Sequence, residues 1–422
     1  MKVSATDTPI TTIVSEHLEE AAWLCSQRAY LVSVPHVNLK YLGRQDERLD
    51  AHLDGVAVSG DFGTQQMITA LESPKRGSIF VATVRSIDNS DFGLVRRLFA
   101  LAKSLPEAEA ELISAFGWVS GKTLKGIAGE LLNHADPFCK CVALAAYAKH
   151  RVDPGESMNN AVLSQDAKLL ARAMRCAGEI GRYNLLSKCV ESLTENDPAC
   201  AFWAAWSSVL LGDRSRAIES LQRFALLPGP HRERALRLLL KTLGIQNAHA
   251  FLKSLAQNPS DQRELIRGTG IVGDPFYIPW LIKQMANIKT ARIAGEAFSF
   301  ITGLDLAYQK LEQEPPADFE SGPNDDPNDD NVGMDDDDGL PWPDPTKIQA
   351  WWSTNSHRFQ SGVRYFMGEP VSRPHCIKVL KEGYQRQRIA AAEYLCLLNP
   401  GTPLFNTSAP AWRQKRLLEK ME

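Results

Sequence analysis

Strand-like alternation is scarce in this chain of 422 residues, and no apolar run approaches the ~18 residues needed to span a bilayer. Residues 1–12 are polar, with no basic start leading into an apolar core, so no signal peptide is expected. None of the eight cysteines (25, 139, 141, 176, 189, 200, 376 and 396) forms a CxxC pair, and Cys139 and Cys141 point to different sides of a helix. They read as small buried hydrophobes in a reducing compartment, which predicts a cytoplasmic protein without zinc or disulfides. No GxSxG marks a nucleophile and no GxxxxGK[ST] marks a phosphate loop. The nine histidines are scattered, none precedes a glutamate, and no pair has metal spacing. His17 and His52 read as helix-surface or packing residues. These absences predict no catalytic residue, no metal and no cofactor.

Basic residues are missing from one long stretch. Residues 312–344 hold thirteen Asp and Glu and no Lys or Arg, so a net charge of −3 becomes +10 once that stretch is set aside. With many Pro and Gly and little apolar surface, it predicts a disordered acidic insertion in a basic body. Read as a calcium loop from Asp326 it fails, because Asn331 stands where glycine is required and no glutamate closes it.

What the sequence does have is a ladder. Gly181, Gly212, Gly244, Gly273 and Gly303 follow one another at 31, 32, 29 and 30 residues. An apolar helical run precedes each, and a second amphipathic run follows. A fixed period of this size predicts a solenoid of stacked helix pairs. The cuts fall at 61–90, 91–121, 122–150, 151–181, 182–212, 213–244, 245–273 and 274–303. Asp136, Asp166, Asp197 and Asp261 stand where the second helix of a pair begins, placed to accept its free N–H groups. Pro137 and Pro198 follow two of them, where a missing N–H costs least. Arg234, Arg263 and Arg292 recur 29 residues apart, and are expected to pair with the junction carboxylates. The expected organisation is an N-terminal helical cap (1–60), repeats (61–311), the acidic insertion (312–344), and a C-terminal region (345–422) with a resumed repeat and a cap.

A first helix, an Asp-Pro turn, an Ala-rich second helix with an early Arg and a closing Gly together resemble the HEAT-like pattern, which implies an all-α solenoid. Four stretches carry a narrower resemblance: DERLDAHLDG (46–55), LPWPD (340–344), QRQRIAAAEY (385–394) and PAWRQKRLL (410–418). They resemble a family of HEAT-repeat proteins from Gram-negative bacteria associated with type VI secretion effector gene clusters. That resemblance implies a secretion-linked setting and no activity, since the family has no agreed catalytic residues.

Counting back nine and six residues from each glycine aligns Arg172 and Arg175 with Trp203 and Trp206, and then with Glu264 and Arg267. In the longer repeat Arg234 and Arg237 take these places. Lys168, Arg172 and Arg175 share a face opposite Leu169, Leu170, Ala173 and Met174. Arg beside exposed Trp is the composition of an interaction hot spot. The residues predicted to bind a partner are therefore Lys168, Arg172, Arg175, Trp203, Trp206, Arg234, Arg237 and Arg267. The expected partner is another protein, such as an effector, toxin or secretion-spike component, and the expected role is that of an adaptor or chaperone. Immunity to a toxin is the nearest variant. Nucleic acid is disfavoured, because the basic residues are spread thinly and the acidic tract repels phosphates. The tract is instead expected to lie on the basic groove as a self-inhibitory mimic.

Overall fold

The computed structural model describes residues 9–317, 319 and 335–421. They are mostly α-helical. In chain order the helices are α1 (Thr11–Leu31), α2 (Leu39–Val58), α3 (Gly60–Ala70), α4 (Arg76–Asp88), α5 (Phe92–Ser104), α6 (Pro106–Trp118), α7 (Ile127–Asn133) and α8 (Pro137–His150). Then come α9 (Glu156–Ala161), α10 (Ala167–Ile180), α11 (Leu186–Glu191), α12 (Pro198–Leu211), α13 (Arg216–Leu226), α14 (Arg232–Thr242), α15 (Ile245–Leu255) and α16 (Gln262–Val272). The series ends with α17 (Ile278–Gln284), α18 (Ala291–Thr302), α19 (Pro345–Asn355), α20 (Arg373–Glu382), α21 (Gln385–Leu398) and α22 (Ala411–Leu418). Among the described residues the only strands form one small hairpin, in which Tyr365–Phe366 pairs with Glu369–Pro370. No described helix is long and apolar enough to cross a membrane.

Packing divides the chain into two compact units. One comprises Met1–Ser33, Val37–Ser207 and Gly401–Glu422; the other comprises Val34–His36 and Ser208–Pro400. In both, alternate helices pack on one another. In the first unit α4, α6, α8 and α10 pack in series, with α5 and α7 against the next member of the row. Phe80, Leu98, Phe116 and Val142 form part of its core. In the second unit α14, α16 and α18 pack in series, and Ile266, Phe298, Ile348 and Phe359 are core residues. The Ala-rich helices allow close approach. Gly178 faces Ser207 so closely that a Cβ would collide with it, and Ser207 Oγ donates to the Met174 carbonyl at 2.6 Å.

The junction aspartates cap as expected in three of four places. Asp136 accepts from Phe138 N (3.0 Å), Asp166 from Leu169 N (2.9 Å) and Asp197 from Cys200 N (2.9 Å). Asp261 makes no such cap; it takes Arg232 at 2.8 Å. The ladder glycines close helices in the left-handed region, with φ of +72° at Gly181, +114° at Gly212, +72° at Gly273 and +74° at Gly303. Gly244 departs from this. Its φ is −59° and it opens α15 instead. The end of α14 is satisfied by Arg364, whose guanidinium donates to the Leu240 and Leu243 carbonyls at 2.6 Å each.

The C-terminal region does not simply add a repeat and a cap. It returns across helix ends laid down much earlier. In the second unit Tyr365 N donates to the Gly273 carbonyl (2.8 Å) and Met367 N to that of Phe300 (2.7 Å). At Gly303 a Cβ would stand 2.5 Å from the Met367 carbonyl oxygen, so the return path needs glycine there. In the first unit Leu404 N donates to the Glu179 carbonyl (3.0 Å), and Arg151 Nε donates to the Leu404 carbonyl. Arg413 donates to the carbonyls of Gly117, Trp118 and Val119 at 2.9–3.1 Å, satisfying the buried C-terminal end of α6. Asp46 receives Arg28 (2.6 Å) and caps α22 through Ala411 N (2.6 Å). Thus α22 rests on α2, at the opposite end of the sequence from the expected terminal cap.

The acidic tract is ordered at both flanks, which corrects the expectation of disorder over all of 312–344. Glu312 bridges Pro343, Trp342 is buried, and Asp337 is 4% exposed. Arg263 grips Asp337 at 2.5 Å and Arg292 reaches Asp335 at 2.7 Å. The expected pairing of Arg263 and Arg292 with junction carboxylates is therefore replaced by pairing with the tract. Residue 318 and the central part of the insertion, 320–334, lie outside the described residues.

Candidate functional site

The eight residues predicted to bind a partner divide between the two units: Lys168, Arg172, Arg175, Trp203 and Trp206 belong to the first, and Arg234, Arg237 and Arg267 to the second. In the first unit α10 presents Lys168, Arg172 and Arg175 one turn apart, beside Trp203 of α12 and Cys141 of α8. They line a cleft of about 390 Å³ that Glu109 and Asp197 complete. The Asp166 cap fixes the start of α10, and its apolar face (Leu169, Leu170, Ala173, Met174) is buried, which forces the cationic face outward.

The tryptophans are not the exposed anchors that the sequence suggested. Trp203 is 9% exposed and Trp206 3%, and their rings meet edge to face at 5.4 Å. Arg175 lies over Trp203 with its guanidinium carbon 4.5 Å from the ring centroid, and donates to Glu179 at 3.0 Å. Large aromatics gain most when removed from water, and the close helix approach allowed by alanine covers them. Trp206 Nε1 is buried without a hydrogen-bond partner among the described residues.

Two cations of the cleft make no direct bond. Lys168 is exposed and Arg172 half-buried, and neither has a hydrogen bond or an ion pair among the described residues. Burial and the neighbouring Arg175 push the Arg172 guanidinium below its ordinary value. Glu179 takes the opposite treatment. Burial alone would raise it, but Arg175, Arg151 and Arg172 overrule that and hold it at about 2. Asp197 is occupied as a helix cap, so Glu109 is the one open carboxylate in the lining. The cleft therefore offers a guanidinium, an ammonium and a carboxylate within one concave surface.

Of the second-unit arginines, Arg237 has structural work. Arg237 and Lys241 both bind Glu393 of α21, Arg237 at 2.9 Å, forming a buried triad between segments 152 to 156 residues apart. Burial would raise the Glu393 carboxyl, but its two cations hold it at about 2; burial pushes Lys241, which shares that carboxylate, down to about 8. Arg267 lies close enough to Glu296 to stabilise its charge. Arg237 is thus withdrawn from the predicted binding set.

One grouping of metal-type donors occurs among the described residues: His134, Asp136 and Cys139, with donor atoms within 4.8 Å of one another. The sequence reading passed over it. Each donor has another task. Asp136 caps α8 and pairs with Lys103, His134 Nδ1 accepts from Asp136 N (3.1 Å), and burial pushes the Cys139 thiol up. It also sits at a helix N-terminus, whose partial positive charge opposes a cation. All eight cysteines are buried, and burial drives the thiols of Cys141, Cys176, Cys189 and Cys200 up to about 12. Such thiols are poor nucleophiles. No family model and no curated protein matches this chain.

Proposed function

We propose that this chain is a non-catalytic protein-recognition scaffold, a HEAT-like solenoid acting as an adaptor or chaperone-like accessory factor for type VI secretion effectors. The observation that carries the recognition role is Arg172. Its half-buried guanidinium makes no hydrogen bond or ion pair among the described residues, has only the nearby charges of Glu179 and Glu109 to offset it, and faces a concave cleft. Lys168 steers the same negative group, and Arg175 over Trp203 supplies a rigid, largely desolvated floor. Open Glu109 beside Arg172 makes the charge mixed, which suits a folded or extended protein segment and opposes a polyphosphate. The secretion setting rests on the family resemblance of the four sequence stretches.

Purification of the tagged full chain from its native host, with and without nuclease, tests this reading. Recovery of an effector, toxin or spike component that survives nuclease supports it, and a toxin would point to immunity. Recovery that depends on nucleic acid, or no partner at low salt, overturns it.

A further inference from the structure

We propose that the second unit carries a small-molecule site for a planar aromatic ring bearing an anionic group. The site is a pocket of about 460 Å³ lined by His249, Phe276, Tyr277, Trp280, Lys253 and Lys283, among others. That volume lies in the ~300–1,000 Å³ range of small-molecule pockets, which are typically apolar with a few placed polar groups. Four aromatic rings in one short stretch of wall are more than packing demands. Phe276 is 61% exposed although large aromatics normally bury themselves. The His249 and Phe276 rings stand 5.5 Å apart at 31°, and Tyr277 sets its edge against both. Such rings present flat faces for stacking.

The wall is held from behind. Asp274 is 1% exposed and receives Phe276 N (3.0 Å) and Gly362 N (3.1 Å) on Oδ1. Its Oδ2 lies 3.0 Å from His249 Nε2, close but out of hydrogen-bond alignment, and that nitrogen is buried with no hydrogen-bond partner among the described residues. A fixed carboxylate therefore sets the Phe276 backbone and stands beside the imidazole before any ligand arrives. At the rim, the Lys253 and Lys283 side chains are exposed and have no hydrogen bond or ion pair among the described residues. Two ammonium groups beside an aromatic cage exclude a cationic guest and favour a ring carrying carboxylate or phosphate.

Ligand-observed NMR and calorimetry on the full chain at low salt test the site with indole-3-acetate and AMP, each against its neutral counterpart, indole-3-acetamide or adenosine. The expected result is saturable binding of at least one anionic probe, about tenfold tighter than its neutral counterpart. Binding of the carboxylate alone identifies an aromatic acid, of AMP alone a nucleotide, and of both a site that reads only ring and charge. Lys253→Gln with Lys283→Gln should abolish the anionic preference and leave neutral binding unchanged. Phe276→Ala, at an exposed position that the fold does not require, should weaken binding about tenfold with an unaltered unfolding transition. No saturation by either anionic probe at millimolar concentration overturns the proposal, as does equal binding of charged and neutral probes or indifference to Phe276→Ala.

Discussion

Replacing Glu393 with glutamine keeps the shape of the buried triad and removes its only negative charge. Lys241, with 2% of its side chain exposed, then loses its carboxylate, and Arg237, a quarter exposed, loses its bonded one. The depressed Glu393 carboxyl marks a stabilising contribution near neutral pH, opposed by the burial that pushes Lys241 down. Removing one partner of a buried pair costs roughly 3–5 kcal/mol. Lys241, already pushed down to about 8, can shed its proton and limit the loss to the lower end. At ~2–4 °C per kcal/mol for a domain of this size, Glu393→Gln should lower the thermal transition of the second unit by about 10 °C. The pH dependence follows from the depressed carboxyl. In the wild type its contribution is complete above the unfolded value of 4.5 and is lost as pH falls toward 2, whereas Glu393→Gln lacks that acid limb. Tryptophan-detected melting across pH 2–7 measures both effects. A loss below ~1 kcal/mol would refute the reasoning, since a buried charge cannot be stranded so cheaply. Replacing Glu393, Arg237 and Lys241 together with Leu, Met and Met should restore most of the loss.

The glycine ladder should prove uneven under substitution. Gly273→Ala meets both a φ of +72° and the Tyr365 carbonyl, and should cost more than ~2 kcal/mol in urea unfolding; Gly244→Ala, at φ −59° in open space, should stay within ~0.5 kcal/mol. Arg413→Met strands the carbonyls of Gly117, Trp118 and Val119, so hydrogen exchange at the end of α6 and throughout 401–421 should quicken while α8 and α10 keep their protection. With all eight thiols buried, a disulfide reagent should titrate none of them rapidly in the native protein and eight after denaturation; a fast native thiol would place one cysteine outside the core.

How far the sequence could be read depends on whether a feature is local. Asp136, Asp166 and Asp197 were legible as caps because capping involves neighbours two or three residues away. The positive-φ glycines were legible for the same reason, although their spacing could not reveal that Gly244 opens a helix while Arg364 satisfies the one before it. The return of the C-terminal region was invisible, since Asp46 and Ala411 are 365 residues apart and no local rule links them. The four stretches carrying the family resemblance include Asp46, Trp342, Glu393 and Arg413, each engaged in a buried contact distant in sequence. Their composition was visible, and their partners were not. Periodicity placed Lys168, Arg172 and Arg175 correctly on one face. It could not say that the Trp203 and Trp206 side chains would be covered, because helix periodicity specifies a direction and not what lies there.

Much of the positive charge of the body is thus committed internally: Arg28, Arg237, Lys241, Arg263, Arg292 and Arg413 all bind groups of the same chain. Lys168 and Arg172 remain open. The most direct test of their role compares partner recovery from the native host by Lys168→Ala with Arg172→Ala against an equal loss of charge at Lys122→Ala with Lys125→Ala, both of which are exposed. The account predicts that the first pair loses most of the recovered partner while remaining folded, and that the second pair retains it. Equal recovery by the two pairs would contradict it.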